Sequence, residues 1–317
     1  MAKVFVSRRV AGLERYTDQF DLDIWEGSLP PSQQELRART RGCEGLVSML
    51  TDRIDADFME SVATLKVISQ YAVGVNNIDL EASKRRGIPV GHTPDVLTDA
   101  TADMAFALMM CAARNLIPGY DYVKAGQWKT WDPTLLLGQA VWGATLGIIG
   151  YGRIGQAMAA RGKGFNMRIL VVAPHLSDAD ASHDNVSRVT LDDLLRESDF
   201  VSIHTPLRPE TTHLIGAREL ALMKPTATIV NTARGEIVDN MTLVDALRAG
   251  RPGFAALDVT EPEPLPPDHP LLSLPNCVVV PHLSSATMQA RLGMTQIAMA
   301  NLEAGLKGQP LPHRANP

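Results

Sequence analysis

The sequence predicts an α/β chain built from two parallel-sheet βαβ units, and two observations carry that expectation. Short β-branched runs alternate with helical stretches twice, through residues 1 to about 98 and again from Ala144 onward, as parallel strands with crossover helices require. The length, 317 residues, also exceeds the roughly 150 residues typical of a single domain.

In the first series, residues 4–7, 20–25, 45–50, 65–70 and 88–90 read as strands, and residues 31–41, 56–64 and 79–86 as the helices between them. Helical periodicity runs over residues 98–114, with an apolar stretch from Met104 to Ala113 that reads as a buried helix and is about half the length of a membrane span. Residues 119–143 carry Trp, Gly and Pro with little regular pattern and read as an arm or linker. In the second series, six strands are expected at 145–149, 168–173, 200–204, 228–231, 254–258 and 277–280. Helices are expected at 154–164, 191–197, 217–223 and 241–249, and again over 285–307 before a Pro-rich tail.

Thirty Lys and Arg against 35 Asp and Glu give a net charge of −5, so the chain lacks the basic excess of a nucleic-acid binder. Cys43, Cys111 and Cys277 lie far apart and form no metal-ligand spacing or disulfide framework. No metal is expected. Residues 3–7 read as a first strand rather than a secretory leader, and the chain is expected in the cytoplasm, with neither membrane nor nucleic acid as partner.

Directly after the strand at 145–149 comes Gly150-Tyr-Gly152-Arg-Ile-Gly155, a G-x-G-x-x-G at the start of a helix. Gly150 permits the tight turn, Gly152 lets the backbone approach a pyrophosphate, and Gly155 lets the helix pack closely, with the helix N-terminus offering N–H groups to the anion. Followed by five more strands, this predicts a Rossmann dinucleotide-binding unit. About 20 residues on, where an acid normally takes the ribose 2′-hydroxyl, the strand ends in Val172-Ala173-Pro174-His175. Asp178 and Asp180 follow only in the next loop. The cofactor is therefore NAD or NADP, with His175 and Arg153 as groups able to contact a 2′-phosphate.

Three further segments lie at the carboxyl ends of predicted strands, where ligands bind in open α/β sheets: Val230 to Asp239, Leu257 to Pro264, and Pro281 to Thr287. Reducing a 2-keto acid needs a cation for the carboxylate and carbonyl, a proton donor for the developing alkoxide, and a hydride source. Arg234 suits the first task through its always-charged planar fork. His282 suits the second, with Glu263 as the carboxylate that stabilises imidazolium. Taken singly, each has an ordinary alternative: a surface pair, a solvated loop charge, a strand-end hydrogen bond.

Together with His204-Thr-Pro-Leu207 and the glycine loop, these segments closely resemble the D-isomer-specific 2-hydroxyacid dehydrogenase family over nearly the whole chain. Within it, residues 91–103 and 126–133 are most similar to the glyoxylate/hydroxypyruvate reductases. The resemblance implies a catalytic set of Arg234, Glu263 and His282, with Val73 and Gly74 presenting amides to the substrate carboxylate and Leu50 lining the substrate pocket. It implies that Arg153 and Ile154 flank the pyrophosphate beside Gly150, Gly152 and Gly155, that Thr205, Pro206 and Thr211 lie along the cofactor, and that Thr101, Thr232, Ala233, Arg234, His282 and Ser284 lie near the nicotinamide. Asp258 is implied to hold its carboxamide. Ser284 stands where the family commonly has glycine.

The resemblance also implies a discontinuous, flavodoxin-like substrate domain, residues 1–98 and 285–317, with the Rossmann domain, residues 99–284, inserted in it. It further implies a homodimer through the 119–143 arm, with Trp131 reaching the neighbouring active site. The expected substrate is a small 2-keto or 2-hydroxy acid. Other D-2-hydroxyacid or phosphoglycerate-type dehydrogenases are alternatives, as is a non-catalytic, dinucleotide-sensing module like the co-repressors of this fold.

Overall fold

The computed structural model describes residues 1–316, so the last residue of the expected C-terminal piece lies outside it. The chain forms two compact units, Met1–Leu97 with Ala286–Pro317, and Thr98–Ser285.

The first unit holds five parallel strands, β1 (Lys3–Val6), β2 (Asp21–Ile24), β3 (Gly45–Ser48), β4 (Val67–Gln70) and β5 (Val90–Gly91), in the order β2-β1-β3-β4-β5. That is the flavodoxin-like order. Helices α1 (Gln33–Thr40), α2 (Ala56–Ser61) and α3 (Leu80–Arg85) start at the caps Ser32, Asp55 and Asp79, whose side chains accept backbone N–H groups. Each cap contributes about 1 kcal/mol. On one face Phe5, Leu46 and Ile68 pack against Leu36, Phe58, Met59 and Ile78, each such buried side chain stabilising by about 2 kcal/mol.

The C-terminal helix Met288–Leu306 belongs to this unit. It lies so close to the sheet that a Cβ on Gly45 would stand 2.6 Å from Leu302, and one on Gly305 2.4 Å from Val67. Ser69 Oγ donates to Ala298 O at 2.8 Å, and Asn301 Nδ2 to His92 O at 3.0 Å, so the helix is fixed by polar as well as apolar contacts.

The second unit holds seven parallel strands: β6 (Thr145–Ile149), β7 (Arg168–Val172), β8 (Ser187–Arg188), β9 (Phe200–Ile203), β10 (Thr228–Asn231), β11 (Phe254–Leu257) and β12 (Cys277–Val279). Their order, β12-β11-β10-β9-β6-β7-β8, is a doubly wound sheet whose winding reverses between β6 and β9. The helices are α4 (Thr98–Ala113), α5 (Leu116–Lys124), α6 (Arg153–Gly164), α7 (Asp178–His183), α8 (Leu191–Glu197), α9 (Ala217–Leu222) and α10 (Asn240–Arg248). One face of the sheet buries Leu146, Ile148 and Phe200 against Leu108, Met109 and Met158. The other buries Ile203, Ile229 and Leu257 against Leu194, Leu220, Leu243 and Leu247.

Two sequence expectations are corrected here. The sheet has seven strands, not six: β8 is a two-residue edge strand with both residues exposed, preceded by α7, whose polar sequence has no apolar period to read. The arm expected to be irregular from residue 119 begins as a helix, α5, running through Pro118 and Gly119 to Lys124. None of its residues is buried. Its return is nevertheless fixed: Asn115 Nδ2 donates to Leu136 O and Leu137 O, and Gln139 N to Ala113 O at 2.7 Å. Among the described residues no single helix is long and apolar enough to cross a membrane.

Candidate active site

The site is built where β6, β9, β10, β11 and β12 end. After β6, Gly150 turns with φ +94°, and a Cβ there would stand 2.6 Å from Thr205 N. Only glycine lets the turn lie against the β9 loop. Gly155 is as constrained, its Cβ position 2.1 Å from Gly150 O, which sets α6 directly on the turn. At Gly152, the N-cap of α6, a Cβ would meet nothing within 4 Å, and no side chain caps the helix. A glycine-walled space in front of uncapped helix N–H groups fits a pyrophosphate. Arg153 and Ile154 open α6 beside it. Thr211 Oγ1 donates to Pro206 O at 2.8 Å and accepts from Arg208 N, so it braces the loop after β9.

At the end of β7, Ala173 is followed by exposed Pro174 and His175, and no carboxylate stands there. The two acids that follow are engaged in the first turn of α7: Asp178 pairs with Arg188 at 2.9 Å and Asp180 accepts from Ser177 Oγ at 2.6 Å. His175 stays exposed.

The three chemistry-bearing residues come together. Arg234 follows β10 in extended backbone and opens a 3-10 turn. Asn231 shapes this bend, its Nδ2 donating to Arg234 O at 2.8 Å and its Oδ1 accepting from Ala233 N at 3.0 Å. Gly235 lets the bend lie on the β11 loop: its Cβ would stand 2.0 Å from Thr260 O. Burial lowers the pKa of the Arg234 guanidinium while Glu263 and Glu236 oppose the shift, so Glu263 acts on Arg234 as well as on His282. Arginine stays charged under such burial. His282 Nδ1 lies 2.6 Å from Glu263 Oε1. A carboxylate at that distance takes the Nδ1 proton as its hydrogen bond, leaving Nε2 as the nitrogen that holds or gives up a proton.

His282 has a left-handed backbone, φ +53°. Such a conformation costs a non-glycine residue about 1–2 kcal/mol and persists only where its surroundings impose it. Its N–H reaches Asp258 O and Val280 O, both at 3.0 Å. The buried Asp258 carboxylate accepts from Leu283 N at 2.5 Å, Ser284 N at 2.9 Å and Ser284 Oγ. Asp258 thus holds the turn that carries His282, with lone-pair capacity remaining for one further donor.

His204, after β9, has its Nε2 2.8 Å from Ser202 Oγ, and burial pushes the imidazole down to about 4. Because the folded value lies below the ordinary 6.5, the unfolded chain takes up this proton first as pH falls, and stability is lost between about pH 6.5 and 4. The deficit is on the order of 3 kcal/mol when complete. The melting temperature should fall over that window, and fall less in His204→Gln; equal slopes would show that His204 is not responsible.

Residues 106–284 match the model of the D-isomer specific 2-hydroxyacid dehydrogenase NAD binding domain. A glyoxylate reductase of Korarchaeum cryptofilum is 46% identical over 99% of this chain and 96% of its own length. The chain belongs to the D-isomer-specific 2-hydroxyacid dehydrogenase family. It is an NAD(P)-dependent oxidoreductase. A solved Thermus thermophilus structure is 44% identical, with a TM-score of 0.93 over 99% of both chains. A glyoxylate reductase structure from Paecilomyes thermophila is 28% identical, with a TM-score of 0.86 over 99% of this chain and 98% of that one.

The remaining predicted site residues of this dehydrogenase are distributed as follows. Thr101 is buried in the first turn of α4. Thr232 is buried with its hydroxyl unpartnered, next to Ala233. Trp131 is 77% exposed on the arm. Leu50, Val73 and Gly74 lie in loops of the first unit, after β3 and β4. Sequence reading passed over Asn231 and Gly235, although an Asn opening a bend and a Gly directly behind a candidate Arg were the signals available.

Proposed function

We propose that this dehydrogenase reduces a small 2-keto acid of the glyoxylate or hydroxypyruvate type to the D-2-hydroxy acid. The observation that carries the reading is the convergence of Arg234, Glu263 and His282, with His282 Nδ1 held on Glu263. The bound dinucleotide supplies the hydride. Arg234 grips the substrate and polarises its carbonyl, and the Val73 and Gly74 amides are offered to a substrate carboxylate. His282 donates its Nε2 proton to the developing alkoxide while Glu263 fixes the ring. Thr205, Pro206, Thr232, Ala233 and Ser284 line the dinucleotide, and Asp258 holds its carboxamide. With no acid at Ala173 to repel a 2′-phosphate, both NADH and NADPH are to be tested.

A panel of glyoxylate, hydroxypyruvate, pyruvate and phenylpyruvate with each reduced dinucleotide tests the reading through loss of nicotinamide absorbance. Turnover with glyoxylate or hydroxypyruvate is expected. Turnover with phenylpyruvate alone overturns the substrate class, and dinucleotide binding without oxidation by any keto acid favours a sensing module.

The arm leaves Tyr120, Trp128, Trp131 and Trp142 each more than half exposed, and large apolar side chains gathered on one exposed segment mark an interaction surface. We infer that a second copy of the chain covers it. Light scattering should report a dimer that Tyr120→Glu with Trp142→Glu converts to monomer; a monomeric wild type contradicts this.

A further inference from the structure

A relay of side chains, buried at Ser48 and Gln70 and half-buried at Asn77, runs beneath two loops of the first unit. β3 and β4 end side by side with Ser48 opposite Gln70, both fully buried. Ser48 Oγ donates to Gln70 Oε1 at 2.6 Å, and Gln70 Nε2 donates to Asn77 Oδ1 at 2.8 Å. The same Nε2 faces Gly74 O at 3.5 Å. Asn77 Nδ2 then donates to Met49 O at 3.0 Å and to Asp52 O at 2.7 Å. Only one amide orientation of Asn77 satisfies these partners, since two carbonyls need donors and the Gln70 amide needs an acceptor.

The relay joins the loop after β3, which bears Leu50, to the loop after β4, which bears Val73 and Gly74. Backbone bonds run beside it, Ile54 N to Asn77 O and Asp79 N to Ile54 O, both 2.9 Å. From the other side His92 Nδ1 donates to Val73 O at 2.9 Å, and Thr93 N to Ala72 O at 2.8 Å. Residues 72–77 are thus held at both edges, while Val73 at the tip is 38% exposed. A polar relay with two of its three side chains buried specifies one geometry only while every member is satisfied.

We propose that Gln70 and Asn77 are positioning residues, which aim the Val73 and Gly74 amides at the substrate carboxylate and so set KM for the keto acid. This rests on the assignment of those amides to the carboxylate under Proposed function. A loop freed from the relay loses the direction of its N–H groups, and an interaction made equally in the ground and transition states is lost from KM rather than from kcat.

The test compares wild type, Asn77→Ala and Ser48→Ala in the full chain, measuring kcat and KM for glyoxylate and the affinity for reduced dinucleotide by fluorescence titration. For Asn77→Ala, KM should rise about tenfold, with kcat within about threefold and dinucleotide affinity unchanged. Ser48→Ala, which removes one donor to Gln70, should raise KM by about twofold. An Asn77→Ala protein that binds dinucleotide normally and keeps the wild-type KM, or that loses only kcat, overturns the proposal. If Asn77→Ala does not fold, Ser48→Ala and Gln70→Met decide by the same KM criterion. A wild type that turns over no keto acid removes the functional reading itself, and this proposal with it, a result distinct from an unchanged KM in an active variant.

Discussion

His282→Ala is expected to lower keto-acid turnover by at least about 10²-fold, the contribution of a positioned general acid. Dinucleotide affinity should be kept, because the turn that fits the pyrophosphate is built by Gly150, Gly152 and Gly155 on β6 and α6. Stopped-flow turnover and fluorescence titration separate the two. The size of the loss follows from geometry: Glu263 occupies Nδ1 at 2.6 Å, so Nε2 is the only ring position left to give up a proton. An unchanged rate would remove His282 from the chemistry.

Arg234→Lys should lower kcat/KM by about 10- to 100-fold, although the charge is retained. A planar guanidinium makes two charge-assisted bonds to a carboxylate where an ammonium makes one, and each is worth about 1.5–3 kcal/mol. The bend that carries Arg234 is fixed by Asn231 and by the approach of Gly235 to Thr260, so the substituted side chain starts from the same backbone. Wild-type kcat/KM in Arg234→Lys would mean that the carboxylate is gripped elsewhere.

The parts of this fold that are local were legible in the sequence. The glycine turn could be read because each glycine answers a steric demand within a few residues, as the 2.1 Å approach of Gly155 to Gly150 shows. Most strands of both sheets could be read because they are short runs rich in apolar and β-branched residues, such as Thr145–Ile149 and Phe254–Leu257. The edge strand Ser187–Arg188 could not, since it is exposed and two residues long. The packing of the C-terminal helix on β3 and β4 was invisible for another reason: Gly45 meets Leu302 across more than 250 residues, and no local pattern encodes that contact. The same holds at the site. Arg234, Glu263 and His282 have recognisable chemistry, but the backbone of His282 is held by Asp258, a partner in another strand's loop. Nor could spacing have joined Ser48, Gln70 and Asn77, whose hydrogen bonds form only once β3 and β4 pair.

The most direct test of the account is the pH dependence of glyoxylate reduction at saturating reduced dinucleotide, in wild type and His282→Ala. The wild-type rate should fall as pH rises, because reduction of the keto acid consumes a proton that a general acid must deliver. In His282→Ala the rate should be low with that limb gone. A wild-type rate independent of pH would contradict a protein-held general acid in this step.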